Sequence, residues 1–223
     1  MINTASVVNI PYLQLREGLN ELVEGGTRFF HMDLMDGHYV PNLCYPLDLV
    51  REIKEAYPQV TADVHMMVTN PMDYIDRLKT AGADYVSFHT DSTSFVRRTI
   101  DAIHKAGMKA GVVINPSQPV DHIRPYAKYV DMVLVMAVEP GFPGQPFLEG
   151  TMERLEELAD LREKCGNHFL ISVDGGVDRE RCVSCQKLGI DMIVGTRHNI
   201  FHQPDGIREA CRRFEAEFGT NES

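Results

Sequence analysis

Residues 29–42 read FFHMDLMDGHYVPN. The first part of this stretch has the apolar character of a buried strand, and the Asp-Gly pair that follows signals a turn. Because side chains alternate along a strand, His31, Asp33 and Met35 lie on one face. An imidazole and a carboxylate are costly to bury together unless they bind something. This face therefore predicts a ligand site at the C-terminal end of the strand.

Short apolar runs alternate with longer amphipathic runs along the whole chain. Strands are predicted at 5–9, 29–34, 60–67, 84–89, 109–114, 130–137, 168–174 and 191–195. Helices are predicted at 13–24, 45–57, 71–81, 93–106, 119–127, 148–164, 178–188 and 204–218. This alternation indicates an α/β protein whose parallel sheet closes into a (β/α)₈ barrel. An open, doubly wound sheet is the alternative, but no glycine-rich dinucleotide turn follows the first strand.

Composition bounds the class of protein. With 223 residues, 43% hydrophobic and 24% charged, the chain suits one globular domain, predicted to span residues 1–223. A formal net charge of −10 argues against nucleic acids and anionic membranes as partners. Neither a membrane-spanning stretch nor a secretory leader is expected. Five cysteines, an odd number, favour a cytoplasmic protein, and a homo-oligomer is left open.

Four polar residues at predicted strand ends stand out, since barrel enzymes carry their chemistry at the C-terminal ends of the strands. They are His31, Asp33, His65 and Asp174. Taken singly, each has a structural explanation as a hydrogen-bonded core histidine or a capping aspartate. Taken together, two imidazoles and two carboxylates predict a site for one divalent metal ion, which could be Zn, Fe(II), Mn or Co.

Asp33 and Asp174 end the second and seventh predicted strands, which a barrel would place on opposite sides of a bound molecule. Two carboxylates that flank one carbon suit the inversion of a stereocentre, because one removes a proton and the other returns one to the opposite face. A neighbouring metal would stabilise the enediolate intermediate. Met35, Met67 and Met136 also end strands, and they are either core filler or an apolar floor around the reacting carbons.

Glycines follow the last three predicted strands, within residues 139–145, 175–176 and 195–197. Glycine allows backbone N–H groups to approach a phosphate closely, and the loops after the seventh and eighth strands commonly bind phosphate in such barrels. These three segments therefore predict an anion site near the same end of the barrel.

Six stretches together resemble the ribulose-phosphate 3-epimerase family: HMDLMDGHYVPN, DVHMMVTNP, AGADYVSFH, VVINPSQP, VLVMAVEPGFPGQPF and SVDGGV. The resemblance implies a TIM barrel of the ribulose-phosphate-binding type that inverts C3 of a ketose phosphate with a divalent metal. It implies Asp33 and Asp174 as the catalytic pair and, with His31 and His65, as the metal ligands. The substrate contacts that it implies are Ser6, Met35, His65, Met67, Met136, Gly141, Phe142, Gly144, Gly175, Gly176, Gly195, Thr196 and Arg197.

Three departures from the family pattern concern the substrate pocket. Residues 9–12, NIPY, stand where a Ser-Ala-Asp type of turn is more usual. Pro143 replaces a small residue and supplies no N–H donor. The segment GTRHNIF, residues 195–201, is longer than the usual GSAIF, and we expect its Arg197 to supplement phosphate binding. This longer loop also leans towards the allulose-6-phosphate 3-epimerase branch.

The interconversion of D-ribulose 5-phosphate and D-xylulose 5-phosphate is the leading hypothesis for the function. Allulose 6-phosphate or another ketose phosphate is the alternative substrate. The alternative from another class is a barrel that binds a sugar phosphate without catalysing a reaction. The presence of all four polar residues argues against it, because a non-catalytic site need not keep them. A lyase or decarboxylase is less favoured, because no lysine accompanies Asp33 on its strand.

Overall fold

The computed structural model describes residues 1–219, and residues 220–223 of the predicted 1–223 domain lie outside the described part. The strands are β1 (Ile2–Ser6), β2 (Phe29–Asp36), β3 (Leu43–Cys44), β4 (Thr61–Met67), β5 (Tyr85–His89), β6 (Lys109–Ile114), β7 (Met132–Met136), β8 (Leu170–Asp174) and β9 (Met192–Gly195). The helices are α1 (Leu15–Glu24), α2 (Leu47–Ala56), α3 (Ile75–Ala81), α4 (Val96–Lys105), α5 (Thr151–Cys165), α6 (Arg179–Lys187) and α7 (Ile207–Phe218).

The parallel strands close on themselves. Strand β1 pairs in parallel with β2 on one side and with β9 on the other. The remaining strands follow in the order β9, β8, β7, β6, β5, β4 and β2, so the ring of eight parallel strands is complete. The short β3 pairs antiparallel with the end of β2 and lies outside this ring. The predicted (β/α)₈ barrel is confirmed.

Strand β7 shows why these segments form a barrel with two packed layers. All five of its residues are buried, as expected for a strand covered on both faces. Val133 and Val135 belong to the large core that packs against the helices. Leu134 and Met136 belong to a separate cluster with Val113 of β6 and Val194 of β9, inside the barrel. The alternation of strand side chains thus fills both layers.

Two predicted elements were wrong in place or type. The first strand, predicted at 5–9, ends at Ser6, and residues 7–9 form a 3₁₀ turn after the last parallel pairing with β2. The helix predicted at 119–127 is a 3₁₀ turn at Val120–His122 followed by further turns. Pro125 explains the second difference, because a proline inside a helix removes a hydrogen bond and clashes with the preceding turn.

Strand register decides which polar side chains meet at the C-terminal end of the barrel. Ser6 of β1 pairs with His31 of β2. Asp33 of β2 lies opposite His65 of β4, and Met136 of β7 lies opposite Asp174 of β8. Residues paired in neighbouring strands of a parallel sheet point to the same face. The polar residues of the sequence prediction are therefore delivered to one end of the barrel interior.

Candidate metal centre and active site

The four polar residues predicted as metal ligands converge. His31 and Asp33 come from β2, His65 from β4 and Asp174 from the end of β8. One candidate ligand atom from each residue can be chosen so that all lie within 4.8 Å of one another. Both histidines are fully buried, while the Asp174 side chain is 15% exposed. The cluster therefore opens to solvent on the Asp174 side.

His31 has one ring nitrogen bonded and the other free. Its Nδ1 lies 2.7 Å from Oδ2 of Asp63, which is fully buried. Its Nε2 is buried without a hydrogen-bond partner among the described residues, 3.4 Å from Oδ1 of Asp33 and 3.9 Å from Oδ2 of Asp174. A buried imidazole nitrogen that faces two carboxylates without a partner fits a metal ligand.

Asp33 links the two histidines. Its Oδ1 lies 3.2 Å from Nδ1 of His65, and its Oδ2 accepts a hydrogen bond of 3.2 Å from the hydroxyl of Ser6. On the opposite side of the His65 ring, its Nε2 lies 2.9 Å from Nε2 of His89. Asp33 is thus held by groups from strands on both sides of β2.

The two aspartates have pKa values displaced in opposite directions. Burial would raise the pKa of Asp33, but the charge of His31 and hydrogen bonds from both histidines outweigh it and lower the pKa. For Asp174, burial dominates and raises the pKa to about 6, with the Asp33 charge adding to the rise and His31 opposing it. Burial disfavours a charged His31, yet Asp33 and Asp63 raise its pKa well above the usual value. Such a divergent pair suits separate acid and base roles.

We expect the raised pKa of Asp174 to lower the free energy of unfolding of the metal-free protein as the pH rises. The unfolded chain loses this proton near pH 4 and the folded chain near pH 6, so the free energy of unfolding falls between these values. Asp174→Asn removes this loss. In chelator-treated protein, the variant should match wild type at pH 4 and exceed it by about 1–3 kcal/mol at pH 7.5. Urea unfolding at both pH values measures the difference, and a difference independent of pH would contradict the assignment.

A cleft opens above the cluster at the C-terminal end of the barrel. Asp33 and Asp174 form part of its floor. His31 and His65 are fully buried, and each lies two residues before a cleft-lining residue of the same strand. The other predicted substrate contacts that line the cleft are Ser6, Met35, Met67, Met136, Gly141, Phe142, Gly144, Gly175, Gly176 and Thr196.

A sequence profile described as "Ribulose-phosphate 3 epimerase family" matches residues 2–201. The chain belongs to the ribulose-phosphate 3-epimerase family. The relative from Serratia marcescens named ribulose-phosphate 3-epimerase is 36% identical over 202 residues, covering 90% of this chain and 95% of the relative. The relative of that name from Bacillus subtilis (strain 168) is 35% identical over 196 residues, covering 87% and 90%. The resemblance noted in the sequence is thereby confirmed.

Solved structures also resemble this epimerase-family chain in fold. A 3-hexulose-6-phosphate synthase from Salmonella typhimurium superposes with a TM-score of 0.71 at 17% identity, covering 95% of this chain and 96% of the other. An orotidine 5'-phosphate decarboxylase from Pyrococcus horikoshii OT3 superposes with a TM-score of 0.70 at 16% identity, covering 99% and 100%. At such identities the likeness shows the shared barrel alone.

Three predicted substrate contacts, His65, Gly195 and Arg197, lie outside the cleft lining. A Cβ on Gly195 would lie 2.4 Å from Oδ1 of Asn3, so this glycine allows β9 to pack closely against β1. The Arg197 guanidinium lies at the rim, with Nη1 3.3 Å from the position that a Cβ on Gly144 would take. Its neighbour His198 reaches the cleft instead.

The cleft lining extends beyond the predicted contacts, and of its further members only Val8 and Val138 lie outside the segments predicted for the substrate pocket or the anion site. Besides His198, the lining includes Val8, Asn9, Val138, Glu139, Pro140, Pro143 and Gln145. Gln145 ties the loop together, because its Nε2 donates to the carbonyl oxygens of Glu139 and Phe142 at 2.6 and 2.9 Å. Strand alternation places Asp63 on the same face as His65, and His89 ends a predicted strand. The contacts of Asp63 with His31 and of His89 with His65 were not predicted. Burial and the neighbouring His65 lower the pKa of His89 well below its usual value.

No helix in the described part of this family member combines the length and the apolar character needed to cross a bilayer.

Proposed function

We propose that this chain is a metal-dependent ketose-phosphate 3-epimerase that interconverts D-ribulose 5-phosphate and D-xylulose 5-phosphate. The observation that carries the proposal is the meeting of Asp33 and Asp174, from separate strands, on the floor of one cleft beside two histidines. Carboxylates on two sides of a carbon can invert it, since one removes the C3 proton and the other supplies a proton to the opposite face. Membership of an epimerase family supports this reading.

The displaced pKa values support an assignment of roles. Asp33, whose pKa is lowered, stays ionised and is the base that takes the C3 proton in one direction. Asp174, with its pKa raised to about 6, keeps a proton more readily and is the acid. In the reverse direction the two residues exchange roles, and an enediolate of the sugar connects the two steps.

The proposed metal ligands are His31, Asp33, His65 and Asp174. Two imidazoles and two carboxylates suit Zn, Fe(II), Mn or Co, and the unpaired Nε2 of His31 supports a bound cation. A divalent ion bound here would polarise the carbonyl and hydroxyl oxygens of the sugar and offset the charge of the enediolate.

Three methionines on the cleft wall support the same chemistry. Met35, Met67 and Met136 are buried, yet each lines the cleft. Thioether side chains are apolar and adaptable, so they exclude water from the reacting carbons without competing for the proton. Ser6 lines the cleft as well and donates to Asp33, which orients the carboxylate that acts as base.

The phosphate of the substrate needs local attraction, because the chain carries a formal net charge of −10. We place it between the backbone of Gly175 and Gly176 and the rim formed by Arg197 and His198. Both glycines have positive φ, 116° and 60°, and glycine amides in such turns can approach an anion closely. Pro143, on the facing loop, has no N–H to offer, so Arg197 takes a larger share of the binding.

Replacement of Arg197 by Ala should raise the KM for the ketose phosphate about tenfold and change kcat little. A hydrogen bond to a charged group contributes on the order of 1.5–3 kcal/mol, and this arginine would contact a part of the substrate that does not react. For the unphosphorylated ketose, the variant should equal wild type. Arg124→Ala, which removes a surface arginine bonded to Asp121, is the matched control. An unchanged KM for the phosphorylated sugar in Arg197→Ala would refute the assignment.

A screen of ketose phosphates against metal-loaded protein in deuterium oxide tests the proposed function. We expect deuterium uptake at C3 of ribulose 5-phosphate, followed by NMR, together with formation of xylulose 5-phosphate. Allulose 6-phosphate belongs in the screen because the segment 195–201, in which Arg197–Phe201 form a π-helical turn, is longer than the family pattern. Absence of exchange with every ketose phosphate would favour a barrel that binds sugar phosphates without turning them over.

Two further features belong to the proposal. A single barrel domain over 1–223 is supported by the closed ring of strands in residues 1–219. A cytoplasmic location is supported by the five cysteines, which are all free thiols. Self-association into a homo-oligomer is a matter for measurement in solution.

A further inference from the structure

Residues 36–42 begin where β2 ends and run across one half of the barrel mouth. Side chains of this segment form hydrogen bonds with residues that follow four successive strands of the ring, β4, β5, β6 and β7. We call residues 36–42 the brace. Its contacts with four other strand ends fix its course over the barrel.

Two side chains anchor the first part of the brace. Oδ2 of Asp36 accepts hydrogen bonds from the backbone N–H and the hydroxyl of Thr69, at 2.7 and 2.8 Å, just after β4. The hydroxyl of Tyr39 donates to Oδ1 of Asp91 at 2.7 Å, after β5, and accepts from Nδ2 of Asn115 at 2.7 Å, after β6. The brace is thus bound to each strand end that it passes.

The last anchor lies on the opposite side of the ring. Nδ2 of Asn42 donates to the carbonyl oxygen of Gly141 at 2.8 Å, and Gly141 belongs to the loop after β7. Strands β2 and β7 stand opposite each other, since β4, β5 and β6 separate them on one side and β1, β9 and β8 on the other. The approach is close, because a Cβ on Gly141 would lie 3.0 Å from Cβ of Val40. This hydrogen bond therefore completes a bridge across the mouth of the barrel.

The brace accounts for the position of the cleft. Among the described residues, the cleft lining includes none from β5, from β6 or from the loops that follow them. That side of the mouth lies under the brace, whose Val40 packs with Met35 and Met67. The cleft opens instead beside β7, β8, β9 and β1, where most of its lining residues lie.

The bridge also holds one wall of the cleft. Residues 141–145 of the loop after β7 all line the cleft. The side-chain hydrogen bonds of Gln145 stay within this loop. Of the hydrogen bonds between described residues, the one from Asn42 is the one that joins residues 139–145 to another segment. A carbonyl oxygen only accepts, so the contact needs the amide N–H of the asparagine.

We propose that Asn42 is a positioning residue that holds the loop at residues 139–145 in place as a wall of the cleft before the substrate binds. Without this hydrogen bond, binding has to order the loop, and such a cost lowers affinity. Once the substrate is bound, the loop has the same position in either case, so the proton transfers at C3 are unaffected. The inference rests on the proposed function in taking the cleft as the substrate site.

Steady-state kinetics of the Zn(II)-loaded full chain with D-ribulose 5-phosphate compare Asn42→Leu with Asn42→Asp. Leucine removes the N–H donor without adding a charge. Aspartate also lacks the donor, but it keeps the oxygen that accepts from the Leu43 N–H at 2.9 Å. We expect KM to rise about 3- to 10-fold in both variants, as for the loss of one hydrogen bond, and kcat to stay within about twofold of wild type.

Three results of these kinetics would overturn the inference. An increase of KM in Asn42→Asp alone would indicate repulsion between the new carboxylate and the phosphate. An unchanged KM in both variants would show that the bridge does not contribute to binding. A loss confined to kcat would place Asn42 in the reaction itself.

Asn167→Leu and Asn167→Asp are the matched controls. Nδ2 of Asn167 also donates to backbone carbonyl oxygens, those of Ala127 and Val130, at 2.8 and 2.9 Å. This residue lies between the end of α5 and the start of β8, at the end of the barrel remote from the cleft. The control variants lose a comparable contact, so their KM should equal that of wild type. An increase as large as in the Asn42 variants would assign the effect to general destabilisation and overturn the inference.

A second measurement needs neither metal nor turnover. The chain contains no tryptophan, so Phe142→Trp places a single fluorophore in the loop. Time-resolved fluorescence anisotropy of the metal-free protein reports nanosecond motion of this fluorophore. We expect a larger nanosecond component when Asn42→Leu is added and no change when Asn167→Leu is added. Equal motion with and without Asn42→Leu overturns the inference. A loop released by Asn42→Leu in a protein whose wild type shows no epimerase activity would instead count against the proposed function alone.

Discussion

Asp174→Asn should lower the rate of epimerisation about 10²- to 10⁴-fold, the usual contribution of a positioned general acid or base. The amide can neither take nor give the C3 proton, although its oxygen can still face the metal. Exchange should be affected on one side only. The epimer whose C3 proton faces Asp33 should still exchange with deuterium oxide, while the epimer whose proton faces Asp174 should not.

Asp33→Asn is the matched partner of that experiment. It should give the mirror result, with exchange lost for the first epimer and kept for the second. The readout is deuterium uptake at C3 of each epimer by NMR, alongside Zn(II) content measured by elemental analysis. If either variant epimerises within tenfold of wild type, the two-aspartate mechanism does not operate. If each variant binds metal normally but loses exchange at C3 of both epimers, at least one of the two aspartates does not have its assigned role.

Removal of the metal should reduce the rate of epimerisation about a thousandfold. Stabilisation of the developing charge by a metal contributes several kcal/mol, which corresponds to that factor. Treatment with dipicolinate followed by assay gives the loss, and addition of Zn, Mn, Co or Fe(II) should restore activity and rank the metals. Metal should also stabilise the fold by about 4 kcal/mol at a thousand times its dissociation constant.

His31→Asn and His104→Asn separate the metal centre from general effects of histidine removal. His31 offers the unpaired Nε2, so its variant should lose the thermal stabilisation by Zn(II). His104 is a surface residue bonded to Asp131 at 2.7 Å, and its variant should keep that stabilisation. Metal-free protein, verified by elemental analysis, that retained the wild-type rate would rule out a role for the metal in the reaction.

Strand periodicity made much of the site predictable. His31, Asp33 and Met35 share a face of β2 because side chains alternate, and this holds whatever the neighbouring strands are. The same rule places His65 and Met67 together on β4. Glycine and proline residues indicated the loops. The helix predicted over 119–127 did not take Pro125 into account, and a 3₁₀ turn at Val120–His122 stands there instead.

The network around the ligands was not predictable in the same way. Asp63 and His89 were visible as polar residues on buried strands, but their partners depend on which atoms meet across the barrel. Oδ2 of Asp63 reaches His31, and Nε2 of His89 reaches His65. Each of these contacts joins residues 24 or more positions apart in the chain. A local sequence pattern cannot predict a contact between residues so far apart in the chain.

The sequence by itself determined the alternation of strands and helices, the face on which each polar side chain lies, and the family to which the chain belongs. These follow from local periodicity and from motifs that need no neighbour to be read. Only the tertiary structure decided that Asp33 and Asp174 share one floor, that their pKa values diverge, and that Arg197 stands at the rim. Those properties arise from the register of the closed barrel and from burial, which come into being when distant strands pair and water is excluded.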